Sequence, residues 1–337
     1  MTRQNKTYCR FVSIIIPALN EEKNIGRCLD SLVGMNYPKL FFEVLVIDNG
    51  SSDKTLAIAE SYKSKMAITV ITTPGATIAV LRNIGAATSK GEILAFIDAD
   101  CTVSSNWINN ALPYFEDYSI GAVGSNVNIP ENSTWVAKAW DINLSKNRKL
   151  GVTECLPTGN LIVAREAYLK THGFNENLIT NEDYDFCYRL RQQELKVFSD
   201  PEISVIHWGA PKNLIEFYRR EVWHGTHVFK VFLNNIKELK NWRAVAYALY
   251  FACCLLSCLL SIFCFFAYGH SLFLMVSVMA LAFPSALLSL RVTTKEKLPP
   301  GNPFMQFMQL SVIYVIYGMA RAVSIMKLRN WIIIKDR

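Results

Sequence analysis

Residues 244–290 form a run of 47 positions without a single Asp, Glu, Lys or Arg. A helix needs about 20 apolar residues to cross the hydrocarbon of a bilayer, so the run is too long for one span and suits two. Tyr268, Gly269, His270 and Ser271 supply the expected turn, which leaves 244–267 and 272–290 as an antiparallel membrane hairpin. Pro284 is compatible with this reading because lipid-embedded helices re-satisfy a freed carbonyl locally. The alternative is a buried pair of helices in a soluble protein.

The charge pattern points the same way. From residue 244 onward there are eight Lys/Arg and two acidic residues, so +6 of the net +7 lies in the last 94 positions. A basic excess confined to membrane-flanking segments reads as headgroup contact and cytoplasmic retention, and argues little for nucleic acid. A third apolar stretch, 304–326, contains Gln306, Gln309 and Arg321 and is followed by Lys327, Arg329, Lys335 and Arg337. Crossing there would export a basic tail, against the positive-inside tendency. This stretch is therefore read as an interfacial or re-entrant helix, with a third span as the alternative.

The apolar run 11–19 is short and lacks a small-residue cleavage site, so it reads as a strand and not a signal peptide. The nine cysteines include no CxxC pair, which suggests reduced thiols in a cytosolic setting. Strand patterns at 11–16, 44–47, 68–72 and 93–97 alternate with helical ones at 22–33, 53–62 and 77–87. Such alternation implies an α/β fold with a parallel sheet covered on both faces.

Ligands of such sheets bind beyond the carboxyl ends of the strands. Here the first strand exits in PALNEE (17–22), the second in DNGSSD (48–53) and the fourth in DAD (98–100). Each exit alone fits ordinary turn and cap chemistry, with Ser52 or Asp53 a helix cap. Together they form an acidic and polar rim. Two carboxylates on one loop repel unless something positive lies between them. Oxygen ligands favour Mg²⁺ or Mn²⁺ bridging protein carboxylates to substrate phosphates.

The segments VSIIIPALNEEKNIGRCLDSL, VLVIDNGSSDKT, LRNIGAATSKGEILAFIDAD and PTGNLIVAREAYLKTHGFNENLITNEDYDFCYRL, in this order, resemble the family 2 glycosyltransferases with a GT-A fold, over roughly residues 11–210. The resemblance implies a nucleotide-diphospho-sugar transferase fold, Rossmann-like with a mostly parallel sheet, followed by a C-terminal helical transmembrane region. It implies that Asp48 recognises the nucleotide base, and that Pro17, Ala18, Asn20, Glu21 and Glu22 belong to the loop lining the nucleotide. Arg82 and Asn83 match a pair near the diphosphate or donor sugar, where an Arg fork suits phosphate oxygens. Asp98 lies nearest the ribose and sugar, while Asp100 ligates the metal with Asp98 and His207 as further candidates. Gly159 and Asn160, read here as part of a strand 156–164, lie beside donor and acceptor. Asp183, in NEDYD before a helical pattern at 184–195, matches the inverting catalytic base, and Glu182 orients the base or acceptor. Capping of that helix and a structural role for His207 are the plainer alternatives.

The implied organisation is a catalytic domain at 1–210, an amphipathic interfacial linker at 211–243 and a membrane region at 244–337. The segment 217–232 interleaves basic and aromatic residues, and Arg219, Arg220 and Trp223 are candidates for the acceptor or membrane interface. RREVW departs from the Gln/Arg-x-x-Arg-Trp motif of processive members, which argues for single additions. The expected activity is inverting hexosyl transfer from a nucleotide sugar, UDP-linked first, to a lipid-linked glycan or polysaccharide precursor. The expected setting is a bacterial inner membrane with the catalytic domain cytoplasmic. The alternatives are a polyprenyl-phosphate hexosyltransferase and a catalytically silent nucleotide-sugar-binding scaffold.

Overall fold

The computed structural model describes residues 10–145, 148–226, 242–269, 271–295, 298 and 300–326. The basic residues of the C-terminal tail, His270 of the expected turn and positions 227–232 of the basic-aromatic segment lie outside the described residues. Two compact units are formed, one by residues 1–131 with 147–209, the other by 132–146 with 210–337.

The first unit is an α/β layer structure built on an eight-stranded sheet. Its first half alternates β1 (Val12–Ala18), α1 (Ile25–Val33), β2 (Phe42–Asp48), α2 (Thr55–Glu60), β3 (Ile68–Thr72), α3 (Ile78–Thr88) and β4 (Ile93–Phe96). β1, β2, β3 and β4 pair in parallel, β1 lying between β2 and β4. The residues Val12, Ile14, Ile15 and Ile16 of β1 are all fully buried, as expected of a central strand covered on both faces. Gly85 of α3 permits that cover to be close: a Cβ there would lie 2.5 Å from the Ile15 side chain.

The chain continues through β5 (Cys101–Val103), α4 (Trp107–Ala111), β6 (Ile120–Gly124), α5 (Trp135–Ser145), β7 (Gly151–Thr153), β8 (Leu161–Ala164), α6 (Arg165–Lys170), α7 (Glu182–Gln192), β9 (Lys196–Ser199) and β10 (Val205–His207). The sheet order is β3-β2-β1-β4-β8-β6-β9-β7, with β8 and β7 antiparallel to their neighbours and β6 parallel to β9. β5 and β10 form a separate antiparallel pair in which His207 is opposite Cys101.

Two expectations change in detail. Gly159 and Asn160 do not extend β8; they form a 3-10 turn, 158–160, ahead of it. The Asn160 side chain is drawn inward by the Trp107 indole N–H at 2.8 Å and by the Ile203 carbonyl at 2.7 Å. The helix expected from residue 184 begins at Glu182, so both members of the acidic pair belong to its first turn. A helix N-terminus favours such charges.

In the second unit, α8 (Leu214–His224) is followed by α9 (Trp242–Tyr268), α10 (Ser271–Lys295) and α11 (Pro303–Met326). The last three are long and apolar enough to cross a membrane, by length and composition. α11 is one unbroken helix of 24 residues. α5 joins this unit: Val136 and Ala139 of α5, Phe217 of α8 and Ile313 of α11 share one buried cluster. Gly318 lets α9 approach α11, since a Cβ there would lie 2.5 Å from the Phe251 ring. Ser257 and Ser261 of α9 hydrogen-bond to Ser277 of α10, the polar cross-links that apolar helices use among themselves.

Candidate active site

The carboxyl ends of β1 and β2 are stitched to one another by their own side chains. Asp48 is fully buried, and its carboxylate accepts from the Gly50 and Ser51 amides and the Ser51 hydroxyl. Asn20, at φ 55°, accepts through Oδ1 from the Ser52 amide and hydroxyl. Glu22 accepts from the Lys54 amide, and Asp53 from the Glu22 and Thr55 amides. Asp53 thus serves the start of α2 as a side-chain acceptor just ahead of the first turn. Pro17 and Ala18 complete the floor, in register with Ile47 and Asp48.

At the tip of β4, Asp98 and Asp100 diverge. Asp98 Oδ1 receives Arg82 Nη2 at 2.8 Å. Gly159 keeps the other oxygen clear, for a Cβ there would stand 3.0 Å from Asp98 Oδ2. Asp100 Oδ2 lies 3.1 Å from His207 Nε2, brought there by the antiparallel pairing of β5 with β10 and by the Trp208 amide donating to the Asp100 carbonyl at 2.8 Å. Cys101 is also within reach of this pair. Burial, then the Asp98 and Asp100 charges, raise its thiol well above the ordinary range, so it stays protonated and faces Asp100 Oδ1 as a weak donor.

This set fits a hard divalent cation. Asp100 and His207 offer carboxylate and imidazole, donors that divalent metal ions accept. Gly209 lets Asp100 pack against the backbone just after β10, since a Cβ there would fall 1.9 Å from Asp100 Oδ2. Glu21, which the sequence places in the loop expected to line the nucleotide, is within electrostatic reach of the same group. Its carboxyl is raised by burial and by Asp100 and Asp98, against the Asn24 hydrogen bond and His207. Gly209 was unmarked in the sequence, one glycine after HW.

The second acidic cluster is tied to the first through Arg82, whose Nη1 donates to Glu182 Oε1 at 2.6 Å. Asp183 is only partly buried, and the Tyr184 amide donates to its Oδ1. Burial and then the Glu182 charge push the Asp183 carboxyl up to about 7, with the Tyr184 amide and Arg82 opposing. A carboxylate so poised takes a proton near neutral pH. Asn83 is occupied elsewhere: Oδ1 accepts from the Phe174 amide and the Tyr168 hydroxyl, and Nδ2 donates to the Phe174 carbonyl and Glu176. It braces the 168–176 segment.

In the second unit Trp223 is exposed and Arg220 Nε contacts His224 Nε2 at 3.2 Å. Glu221, between them in sequence, is turned inward to Arg321 Nη2 of α11 at 2.7 Å. That pairing accounts for a charge inside an otherwise apolar helix.

Against known proteins, the family model described as Glycosyl transferase family 2 matches residues 13–186, more than half of the chain. Glycosyltransferase AglE of Haloferax volcanii is 32% identical over 185 residues, 53% of this chain and 60% of that protein. Beta-monoglucosyldiacylglycerol synthase of Trichormus variabilis is 32% identical over 227 residues, 63% of this chain and 48% of that protein. The chain thus aligns with only about half the length of these curated relatives. Among solved structures, mannosyltransferase PcManGT from Pyrobaculum calidifontis, in complex with GDP-Man and Mn²⁺, superposes with a TM-score of 0.61 at 18% identity, covering 94% of this chain and 88% of that one. This last likeness shows the fold.

Proposed function

Because the chain belongs to glycosyl transferase family 2, and is therefore a glycosyltransferase of GT-A fold, we propose that it is a membrane-anchored inverting hexosyltransferase acting on a lipid-linked glycan or polysaccharide precursor. The observation that carries this reading is one cluster joining Asp100 and His207 on one side to Asp98, Arg82, Glu182 and Asp183 on the other. Nucleotide-sugar chemistry needs both halves, a place for a departing diphosphate and a base for an incoming hydroxyl.

In this reading Asp183 accepts the proton of the acceptor hydroxyl as that oxygen attacks the anomeric carbon. The new glycosidic bond forms as the bond to the nucleoside diphosphate breaks, from opposite faces of the carbon, and configuration inverts. Asp100 and His207, with Asp98 beside them, would hold a divalent cation, which when bound would supply charge neutralisation for the departing diphosphate. Asp48 and the stitched 17–22 and 48–53 loops form the floor for the base and ribose. The three long apolar helices support a membrane anchor, and relatives named for glycolipid synthesis support a lipid-borne acceptor. We place the catalytic unit on the cytoplasmic side of a bacterial inner membrane, from the basic C-terminal excess.

The test uses membranes containing the full chain, a panel of UDP-sugars and then GDP-sugars, and lipid acceptors, with and without Mg²⁺ or Mn²⁺. Release of nucleoside diphosphate that needs donor, cation and lipid together is the expected result. Transfer that persists in a chelator would remove the cation from the reaction, and retention of anomeric configuration would remove the single displacement.

A further inference from the structure

We propose that Arg82 is a positioning residue that fixes the base-bearing turn of α7 against the tip of β4, and is not a ligand of the donor's phosphates. The proposal rests on the transferase reading above and assigns Arg82 a different part in it from the one its sequence context implies.

Three observations carry it. First, the side chain is 1% exposed, so its guanidinium is sealed inside the unit. Second, its two terminal nitrogens are engaged by different carboxylates, Nη2 by Asp98 at 2.8 Å and Nη1 by Glu182 at 2.6 Å. These partners lie 16 and 100 positions away in the chain. A planar fork with fixed angles therefore sets the separation of β4 and α7 in a way that a flexible ammonium does not. Third, the fork has a rigid base: the next turn of α3 is held against Ile15 by the close approach at Gly85. Asn83 fixes the 168–176 segment, whose Phe174 ring centroid lies 5.8 Å from the guanidinium carbon.

The chemical consequence is specific. Asp98 belongs to the donor side and Glu182 immediately precedes Asp183. A misplacement of about 1 Å between reacting groups costs on the order of a hundredfold in rate, so the strut acts on turnover and leaves nucleotide affinity alone. Lys at this position keeps the charge yet reaches one carboxylate at a time.

The test compares the full-length wild type with Arg82→Lys, Arg82→Gln, Glu182→Gln and the Arg82→Gln/Glu182→Gln pair in detergent. Calorimetry with UDP and with GDP, each with Mn²⁺, reads affinity. UDP-glucose, UDP-N-acetylglucosamine and GDP-mannose, with undecaprenyl phosphate or dioleoylglycerol, read kcat and donor KM on the pair that wild type turns over. Expected are a kcat loss of about a hundredfold for Arg82→Gln, donor KM and nucleotide affinity within about twofold, and a double variant no worse than the poorer single one. A tenfold loss of nucleotide affinity, or a donor KM raised with kcat kept, makes Arg82 a phosphate ligand and overturns the proposal. Additive losses in the cycle do the same. If Arg82→Gln fails to fold, Arg82→Lys is decided by the same split between kcat and KM. Wild type that binds nucleotide but turns over no pair tells against the transferase reading, while the affinities of the variants still decide the role of Arg82.

Discussion

Each unit of this chain buries an arginine, and the two are used differently. Arg82 in the first unit faces two carboxylates from remote segments and leaves the cluster with a surplus of negative charge beside Asp183. Arg321 in the second, less deeply buried, faces one, Glu221, which also feels the charge of Arg220. Burial raises a carboxyl at both centres, Asp183 and Glu221, but Glu221 is opposed only by arginines, whereas at Asp183 the Glu182 and Asp98 charges add to the rise.

The sharpest way to test this contrast is to remove charge at each centre in turn. Asp183→Asn should lower transfer by roughly 10²- to 10⁴-fold, the usual contribution of a general base, while nucleotide binding is kept; rate and calorimetry together check it. Unchanged transfer would dismiss Asp183 as the base. Glu221→Gln, by contrast, should act on folding: stranding the Arg321 charge costs about 3–5 kcal/mol of stability, read as a lower melting temperature in detergent. The Glu221→Gln/Arg321→Met double variant should recover most of that loss. If instead the single variant melts like wild type, the ion pair is not a structural clasp.

At the cation side, Gly209→Ala places a methyl group where Asp100 Oδ2 now lies. Mn²⁺-dependent nucleotide affinity should fall about 10- to 100-fold, the range for disturbing the surroundings of a metal ligand; an unaltered titration would show that the position of Asp100 against Gly209 does not bear on the cation. The smallest effect is the dependence on pH. With its folded value raised to about 7, Asp183 is a competent base only above that point, so kcat should climb about tenfold per pH unit below it and level off above. The same shift has a sign for stability. The folded state holds this proton over a window where the unfolded chain, with its ordinary carboxyl near 3.9, has released it, so stability contributed by Asp183 is lost as pH rises through the folded value. A flat kcat profile between pH 5.5 and 8 would contradict the assignment.

Much of the scaffold was legible in the chain. The strand patterns at 44–47, 68–72 and 93–97 lie within or beside β2, β3 and β4, and the helical pattern at 77–87 lies one residue from α3. Fully buried parallel strands are written as continuous apolar runs, and their exits as turn residues, so local composition suffices. The long apolar helices were legible for the same reason, although α11 is unbroken where a re-entrant course was one expectation. What misled was position within an element: Gly159 and Asn160 continue an apolar strand pattern, yet the inward hydrogen bonds of the Asn160 amide bend the chain into a turn. α5, too, lies within the span expected to be catalytic and is built into the helical unit.

The sequence alone determined the four parallel strands of the first half, which helices are apolar enough for a membrane, and that acidic side chains gather at the strand exits, because each follows from neighbours a few positions apart. Only the tertiary structure decided that His207 meets Asp100, that Arg82 joins Asp98 to Glu182, and that Arg321 finds Glu221. Those meetings depend on strand register and helix packing between segments up to about a hundred positions apart. No local pattern of residue types carries that information.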